Sequence, residues 1–432
     1  MSATTHHDKT RGRWRSPRPA RPGTAPRYGL RTAWVMMASG WSANQFSALL
    51  GAYRSHLGLS ESTVTGLFAV YVVGLVPGLL VGGPLADRHG RRPVALVALG
   101  VNLASSVFLM VGSTAHWLLL PGRFLTGVGA GALLAAGSAW VKELSSPPFV
   151  AEAAPAAAAK RAGLFVSAGF ASGGLVASMI AQWAPHPLVT AYLPHLVLAS
   201  AAGLAALPVP ESRQPRPAAT ARPTSPASPA SPAATGPGAP APSTSAYGRR
   251  FLRAVVPLAP WVFAAPAIGF ATLPGLVDDG LSGWQTVYAG IMTAVVPGAG
   301  LVVQPLARRL AARSRLATAT IGMLVTTVGL ALAAPAAALE QPALALVSGA
   351  LLGAGYGLAL TYALTEVAAL APPDRLARLT AYFWTTAYVG MFTPYVIALL
   401  SGVFGMTTLL LTGAVLAVVT CVGLLWLNRD EE

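Results

Sequence analysis

Apolar and polar residues fall in long blocks along this chain. Twelve apolar runs, at about 32–53, 62–84, 93–114, 117–140, 162–183, 188–207, 254–276, 285–306, 316–338, 342–365, 379–400 and 403–427, are each 20 to 25 residues long and nearly free of charge. A helix needs about 20 apolar residues to cross the hydrocarbon of a bilayer, and within lipid it satisfies its own backbone hydrogen bonds. The short segments of period-2 alternation expected of a membrane barrel are absent. The pattern therefore predicts an all-α integral membrane protein with twelve transmembrane helices.

Composition narrows the picture. Of 432 residues, 54% are hydrophobic and only 10% charged, against about 25% charged in soluble domains. A soluble enzyme or isolated binding domain is excluded. The lone cysteine, Cys421, rules out an internal disulfide framework or a cysteine-based zinc site. Lys+Arg number 29 and Asp+Glu 14, a net charge of +15, and the placement of that charge carries the meaning. Counting alternate loops from the N-terminus puts all but Arg54 and Arg123 on one side. Such asymmetry marks the cytoplasmic face, so both termini are expected in the cytoplasm, in a plasma-membrane protein. The basic residues form no stripe on a soluble fold, and no nucleic-acid partner is expected.

Two stretches stand apart. Residues 1–31 are basic and poor in apolar residues, the composition of a disordered cytoplasmic tail. The apolar run after them is too long for a signal peptide and is expected to be retained. Residues 209–250 carry ten prolines between Pro210 and Pro242 among Ala, Ser and Thr, a composition for a linker rather than a core. The linker separates a first unit, 32–208, from a second, 251–428, with a short tail at 429–432. The two units echo each other. Gly58-Leu59-Ser60 recurs as Gly280-Leu281-Ser282, Pro84-Leu85-Ala86 as Pro305-Leu306-Ala307, and Gly127-x-Gly129-x-Gly131 as Gly353-x-Gly355-x-Gly357, at offsets of 222, 221 and 226 residues. Three landmarks in one order at nearly one spacing predict two pseudo-symmetric six-helix bundles, an arrangement that recurs in transporters.

The most specific segment is Gly83-Pro84-Leu85-Ala86-Asp87-Arg88-His89-Gly90-Arg91-Arg92, between the second and third runs. It resembles the signature loop of the major facilitator superfamily, G-x-L-A-D-R-x-G-R-R/K, with its defining positions present. The resemblance covers almost the whole chain and implies two bundles rocking about a central site. Gly83 would let helices approach and Gly90 would permit a tight turn. Asp87, the one acid of the loop, sits at the membrane edge, where an arginine or a helix N-terminus can pair with it. By the resemblance it braces the two halves, with the first turn after Pro372-Pro373-Asp374-Arg375 as its expected partner. The matching second loop, Gln304-Pro305-Leu306-Ala307-Arg308-Arg309, lacks both the first glycine and the aspartate, so a brace there is degraded.

Arg123 lies inside the fourth run, with Gly127, Gly129 and Gly131 after it. A charge in a span costs about 2.5–3.5 kcal/mol on insertion scales and is usually paired or functional; the alternative is that Arg123 snorkels to the outer interface. The pattern resembles the superfamily's span-4 motif, which implies proton coupling or substrate binding. Gly169, Gly173 and Gly174 in the fifth run partly match the antiporter motif of drug-exporting relatives, with Phe170 in place of its proline; ordinary helix packing explains small residues equally well. Candidate cavity residues are Asn44, Gln45, Tyr356 and Tyr362, with Trp384 and Tyr388 on a stripe that includes Met391 and Tyr395. Such a stripe serves either an aromatic substrate or bundle packing. No carboxylate lies deep in a span, and His195 is the one group within a span that titrates near neutral pH, which makes it a candidate proton carrier against a packed neutral histidine.

These features predict a secondary transporter for a small-molecule substrate, coupled to protons, embedded in the bilayer as a monomer without cofactor or metal. Efflux of a hydrophobic or amphipathic drug or metabolite is the first expectation, and uptake of a neutral solute such as a sugar the second. A membrane enzyme would need convergent ligands or acids, yet there is no H-E-x-x-H motif or Walker A loop. A non-transporting sensor or scaffold would carry a folded soluble domain, for which neither tail nor linker has the composition.

Overall fold

The computed structural model describes residues 25–150, 155–212, 244–370 and 376–429, and every regular element among them is helical. The first half contains α1 (Ala25–Gln45), a 3-10 turn at Ser47–Leu49, α2 (Leu50–Leu57), α3 (Glu61–His89), α4 (Arg91–Val111), α5 (Leu119–Leu144), α6 (Pro155–Trp183), α7 (Pro187–Thr190) and α8 (Leu193–Ala206). The second contains α9 (Thr244–Ala254), α10 (Trp261–Ala267), α11 (Gln285–Val302), α12 (Gln304–Arg313), α13 (Arg315–Ala338), α14 (Pro342–Leu370), α15 (Leu376–Val389), α16 (Thr393–Leu400) and α17 (Met406–Leu427).

Ten helical segments among the described residues are long and apolar enough to cross a bilayer, and Trp261–Leu276 is a shorter apolar helix. Twelve were expected, and the difference falls on the runs at 32–53 and 254–276, the first of each half. The first run carries Ser39, Ser42, Asn44, Gln45 and Ser47, and its α-helix stops at Gln45 before the 3-10 turn. The second contains Pro266 and Pro274, and α10 passes into a π-turn at Ile268–Thr272 and a 3-10 turn at Leu273–Leu276. An interior proline removes a backbone donor and clashes with the preceding turn. Both runs are buried at the junction of the halves, where irregular backbone is tolerated in a membrane protein.

Expected boundaries shift in two more places. Helix α1 begins at Ala25, inside the expected 1–31 tail, and α9 occupies the end of the expected 209–250 linker. The other end of that linker is tethered, since Trp140 Nε1 donates to the Pro210 carbonyl at 3.2 Å. The rest of the tail and linker lies outside the described residues, as does Pro372-Pro373-Asp374-Arg375.

The repeated glycines explain how the helices pack. Helix α5 lies against α3 and α4, and α14 against α11 and α13. A side chain at Gly127 or Gly131 would strike the Tyr71 or Leu75 carbonyl of α3, and one at Gly129 would strike Asn102 of α4. In the second half Gly353 and Gly357 meet the Val296 and Gly300 carbonyls of α11, while Gly355 meets Thr326 of α13. Close approach of backbones is how helices gain packing energy in lipid, where burying apolar side chains brings no hydrophobic gain. The outer faces stay apolar accordingly: Val97, Val197, Leu204 and Val302 are all more than two-thirds exposed.

Candidate substrate cavity and charged loops

A cavity of about 490 Å³ opens between the halves, lined by α1, α3, α5 and α6 on one side and by α10, α11, α14 and α15 on the other. The walls differ. The second half supplies aromatic rings: Phe263 stacks on Tyr388 at 4.6 Å between centroids and 9° between planes, with Tyr356 at 6.3 Å and Trp384 at 6.1 Å from Phe263. The first half supplies mainly small or hydroxyl side chains, including Ser39, Gly40, Ala43, Ser138 and Ser167. None of the described lining residues is an acid, a lysine, an arginine or a histidine. Toward the end bearing the arginine loops (the basic end) the lining reaches Leu79, Ser138, Ser167 and Leu301. At the far end the halves touch: Phe68 meets Phe270 edge-on at 6.0 Å, Trp183 meets Trp284 at 5.6 Å, and Gln182 Nε2 donates to the Gly283 carbonyl at 2.7 Å.

Of the expected cavity residues, Tyr356, Trp384 and Tyr388 line it, and so does Met391. Asn44, Gln45 and Tyr362 do not, because each is held by a neighbouring helix. Asn44 Nδ2 donates to the Phe170 carbonyl at 2.8 Å and, more weakly, to that of Thr293 at 3.4 Å, which ties the two halves. Gln45 Nε2 donates to Ser106 Oγ at 3.2 Å, and Tyr362 Oη donates to the Ala254 carbonyl at 3.1 Å. Tyr395, the last ring of the stripe, covers Gly66 of α3. The sequence reading missed four rings of the lining, Tyr71, Phe170 and Phe270 and, at the centre of the stacked wall, Phe263. Its run is irregular and gives no helical phase from which to place it.

His195 lies fully buried off the cavity, its Nδ1 hydrogen-bonded with Ser106 Oγ at 2.8 Å. Arg123 is fully buried too and does not snorkel. Its Nε donates to the Leu67 carbonyl at 3.2 Å, and the guanidinium lies over the Phe46 and Tyr71 rings at 4.3 and 5.1 Å. It thereby fastens α5 to α3 and to the end of the first run. The span-5 glycines are contacts of the same packing kind: Gly169 and Gly173 meet Met37 and Trp41 of α1, and Gly174 meets Thr293 across the halves.

The signature loop builds a compact charged cluster. Gly90, at φ +104°, turns the chain from α3 into α4 in a conformation that side-chain-bearing residues rarely adopt. Gly83 faces open space, and the close approach expected of it belongs to Gly82, which packs on Ala132. Asp87 Oδ1 pairs with Arg91 at 2.7 Å while remaining 65% exposed; within the described residues it makes no ion pair to α15. Arg91 also binds Glu143, at the end of α5, at 3.0 Å. Glu211 then accepts from the backbone N–H groups of Arg91 and Arg92, both at 2.9 Å, capping α4, where a carboxylate also meets the positive end of the helix dipole. Glu211 had a sequence signal, as the sole acid between Glu152 and Asp278. The second half repeats the ion pair, with Arg315 at the start of α13 binding Glu366 of α14 at 3.2 Å. Arg91 to Arg315 is an offset of 224 and Glu143 to Glu366 one of 223, in line with the glycine repeat.

A second cavity, of about 350 Å³, lies at the far end between the halves and includes Arg54, Glu61 and Asp278. Burial pushes the Asp278 carboxyl above its ordinary range; Arg54 opposes that shift, and Asp279 and Glu61 add to it.

Comparison with known proteins agrees with this architecture. The Major Facilitator Superfamily profile matches residues 32–393. Over 75 residues the chain is 41% identical to the multidrug resistance protein MdtL of Escherichia coli (strain SE11), which is 17% of this chain and only 19% of that protein's length. Solved structures share the fold over nearly the whole length. A POT family transporter in complex with 5-aminolevulinic acid aligns with a TM-score of 0.69 at 13% identity, over 95% of this chain and 96% of that one. A D-xylose-proton symporter gives 0.64 at 15%, over 91% and 96%. With the signature loop, the paired halves and a profile spanning most of the chain, this is a multi-pass membrane protein of the major facilitator superfamily, a family of transporters and not of enzymes.

Proposed function

We propose that the chain is a proton-coupled exporter of an uncharged or amphipathic, ring-bearing small molecule. Twelve spans in two pseudo-symmetric six-helix bundles, 32–208 and 251–428, alternate access to the cavity between them. The protein works as a monomer in the plasma membrane with both termini cytoplasmic. The observation that carries this reading is the cavity itself: it lies between the halves, has an aromatic wall and lacks ionisable lining apart from tyrosines. Such a site stacks on flat apolar ligands and offers no counter-charge to repay the desolvation of an ion. The short match to a multidrug resistance protein favours export.

The excess of Lys and Arg at the basic end supports a cytoplasmic placement of that end. The closed far end and the exposed Asp87 then correspond to the inward-facing state, in which the brace between the halves is open. In the outward-facing state Asp87 engages the first turn of α15.

The test is flux into proteoliposomes under an imposed pH gradient, with panels of aromatic drugs and of sugars. Accumulation of aromatic compounds that collapses with the gradient supports the proposal. Sugar flux alone favours uptake of a neutral solute, the second reading, which the serine hydroxyls at Ser39, Ser138 and Ser167 support. His195 sits away from the cavity, so His195→Gln is expected to leave gradient-driven flux within about twofold, the effect of losing a packing hydrogen bond rather than a proton-transfer group. A complete loss of coupling with the protein still folded restores His195 as the carrier.

A further inference from the structure

The tyrosines of the chain divide by where they lie. Away from the substrate cavity, each buried one has a hydrogen-bond partner. The Tyr53 and Tyr192 hydroxyls bond each other at 2.9 Å, Tyr288 Oη donates to the Pro342 carbonyl at 2.7 Å, and Tyr362 Oη donates to that of Ala254. Three others line the cavity: Tyr71 of α3 in the first half, and Tyr356 of α14 and Tyr388 of α15 in the second. Among the described residues none of these three hydroxyls has a partner, and none is a polar atom shut off from solvent. Tyr388 lies within electrostatic reach of both Tyr71 and Tyr356, so the three gather in one part of the cavity. The serines of the opposite wall differ, because a helical serine can turn back to its own chain, as Ser172 Oγ does to the Ala168 carbonyl at 2.6 Å. A tyrosine hydroxyl, held out on its ring, cannot. Phenylalanine would stack equally well and leave no hydroxyl unmet, so stacking alone does not account for these residues. Trp384 in the same wall, whose Nε1–H can only donate, also lacks a hydrogen-bond partner among the described residues.

We infer that Tyr71, Tyr356 and Tyr388 donate to a carbonyl oxygen on the ring-bearing substrate, which makes planar aromatic ketones and quinones its chemical class. A phenol O–H donates more readily than it accepts and an indole N–H only donates, so these residues ask their ligand for an acceptor. The acceptor is uncharged: with no cation in the described lining, a carboxylate or phosphate would be desolvated without a counter-charge. A carbonyl oxygen has two lone pairs and can take two donors at once. Conjugation holds it in the plane of the ring, so the molecule can stack on the aromatic wall while its oxygen meets the hydroxyls at the edge. Because the donors come from both halves, the bound oxygen is shared across the interface between them. The inference rests on the cavity being the substrate site and adds the class of molecule that the site selects.

The purified full chain in detergent is dialysed to equilibrium against xanthone and against xanthene, which differ only in a carbonyl in place of a methylene. Corrected for uptake by empty micelles, the parent holds xanthone about tenfold more tightly. Tyr71→Phe, Tyr356→Phe and Tyr388→Phe each lower xanthone binding by about fivefold, the share of one hydrogen bond. They keep the rings, so xanthene binding stays within about twofold of the parent. Tyr395→Phe, on the same stripe but outside the cavity, changes neither. Three single variants keep the test readable where one does not fold. Equal affinity for the two ligands overturns the inference and leaves the aromatic reading of the cavity standing. So does a xanthone preference that survives in all three variants, or a loss of both ligands alike, which makes the hydroxyls part of the wall. D-xylose displacing xanthone from the parent but not from the phenylalanine variants assigns the hydroxyls to a polyol and overturns the inference too. If neither ring system binds, the aromatic reading itself fails and the inference falls with it.

Discussion

The two halves share one plan and differ at both ends of their working surfaces. Each packs its glycine-bearing helix between two neighbours through the same carbonyl contacts, and each joins its third and fourth spans by an arginine–glutamate pair at the basic end. Yet the first half closes that pair with Glu211 and presents a small, hydroxyl-lined wall to the cavity. The second places Arg250, Arg313 and Arg315 along one pocket beside its pair and presents stacked rings. The shared features are those that hold helices together in lipid. The divergent ones face ligands, water or the membrane surface, where packing places little constraint on the side chain.

This division can be broken at several points. The largest effect is expected from the shared packing. Gly127→Leu and Gly353→Leu each force a side chain into a facing carbonyl and should cost about 3 kcal/mol, the upper range for overpacking. Loss of monodisperse protein in size-exclusion chromatography is the readout, with Gly83→Ala, which faces open space, unaffected. If one half tolerates the leucine, the packing equivalence fails.

Next come the cavity walls. Phe263→Ala or Trp384→Ala should weaken ligand binding by about tenfold or more, each removing a ring worth roughly 1–3 kcal/mol. Ser138→Ala on the opposite wall should change it less than about threefold. Binding is followed by ligand-dependent tryptophan quenching or scintillation proximity, and the reverse ranking would assign recognition to the first half.

A smaller difference is expected between the ion pairs. Arg91 has 18% of its side chain exposed and serves both Asp87 and Glu143, whereas Arg315 is 45% exposed. Arg91→Gln should cost about 2 kcal/mol and Arg315→Gln less than about 1 kcal/mol, since solvent screens the exposed pair more. Thermal unfolding in one detergent compares them directly, and equal costs would mean that Glu143 adds nothing.

The smallest effect lies at the far end. A carboxyl with a raised folded-state pKa favours the protonated form, so its contribution is fully present below the ordinary carboxylate pKa. It is lost as pH rises through the raised value. At neutral pH Asp278→Asn should therefore raise the melting temperature by about a degree, the scale of well under 1 kcal/mol in a chain this size. The gain should shrink as pH falls toward 4. A gain independent of pH would remove burial of the charge as the cause.

How much was legible varied with the physics involved. The helical character, most helix positions and the repeat could be read directly, because hydrocarbon imposes length and apolarity on any crossing segment. The 32–53 and 254–276 runs were identified as apolar but not as broken. Their irregularity is stabilised by contacts such as Asn44 with Phe170, which no local pattern encodes. Of the aromatic stripe, Trp384 and Tyr388 line the cavity, whereas Tyr395 packs on Gly66 of α3. A 3-10 turn at Gly390–Phe392 separates α15 from α16, and α16 packs against α3, so the stripe leaves the cavity there.

By itself the sequence showed which segments are long and apolar enough to cross lipid, ten of the twelve recurring as such among the described helices, and that three landmarks repeat at one spacing, since both follow from composition and position along the chain. It also marked Arg123 as a charge needing partners, though not that those partners are carbonyls and ring faces. Tertiary structure alone decided that Phe263 completes the aromatic wall, that His195 is kept off it, that Glu211 caps α4 and that Arg250, Arg313 and Arg315 meet along one pocket in the second half. Each of these depends on residues tens to hundreds of positions apart meeting in space. Hydropathy constrains how deep a residue sits in the membrane, but not which neighbour it faces at that depth.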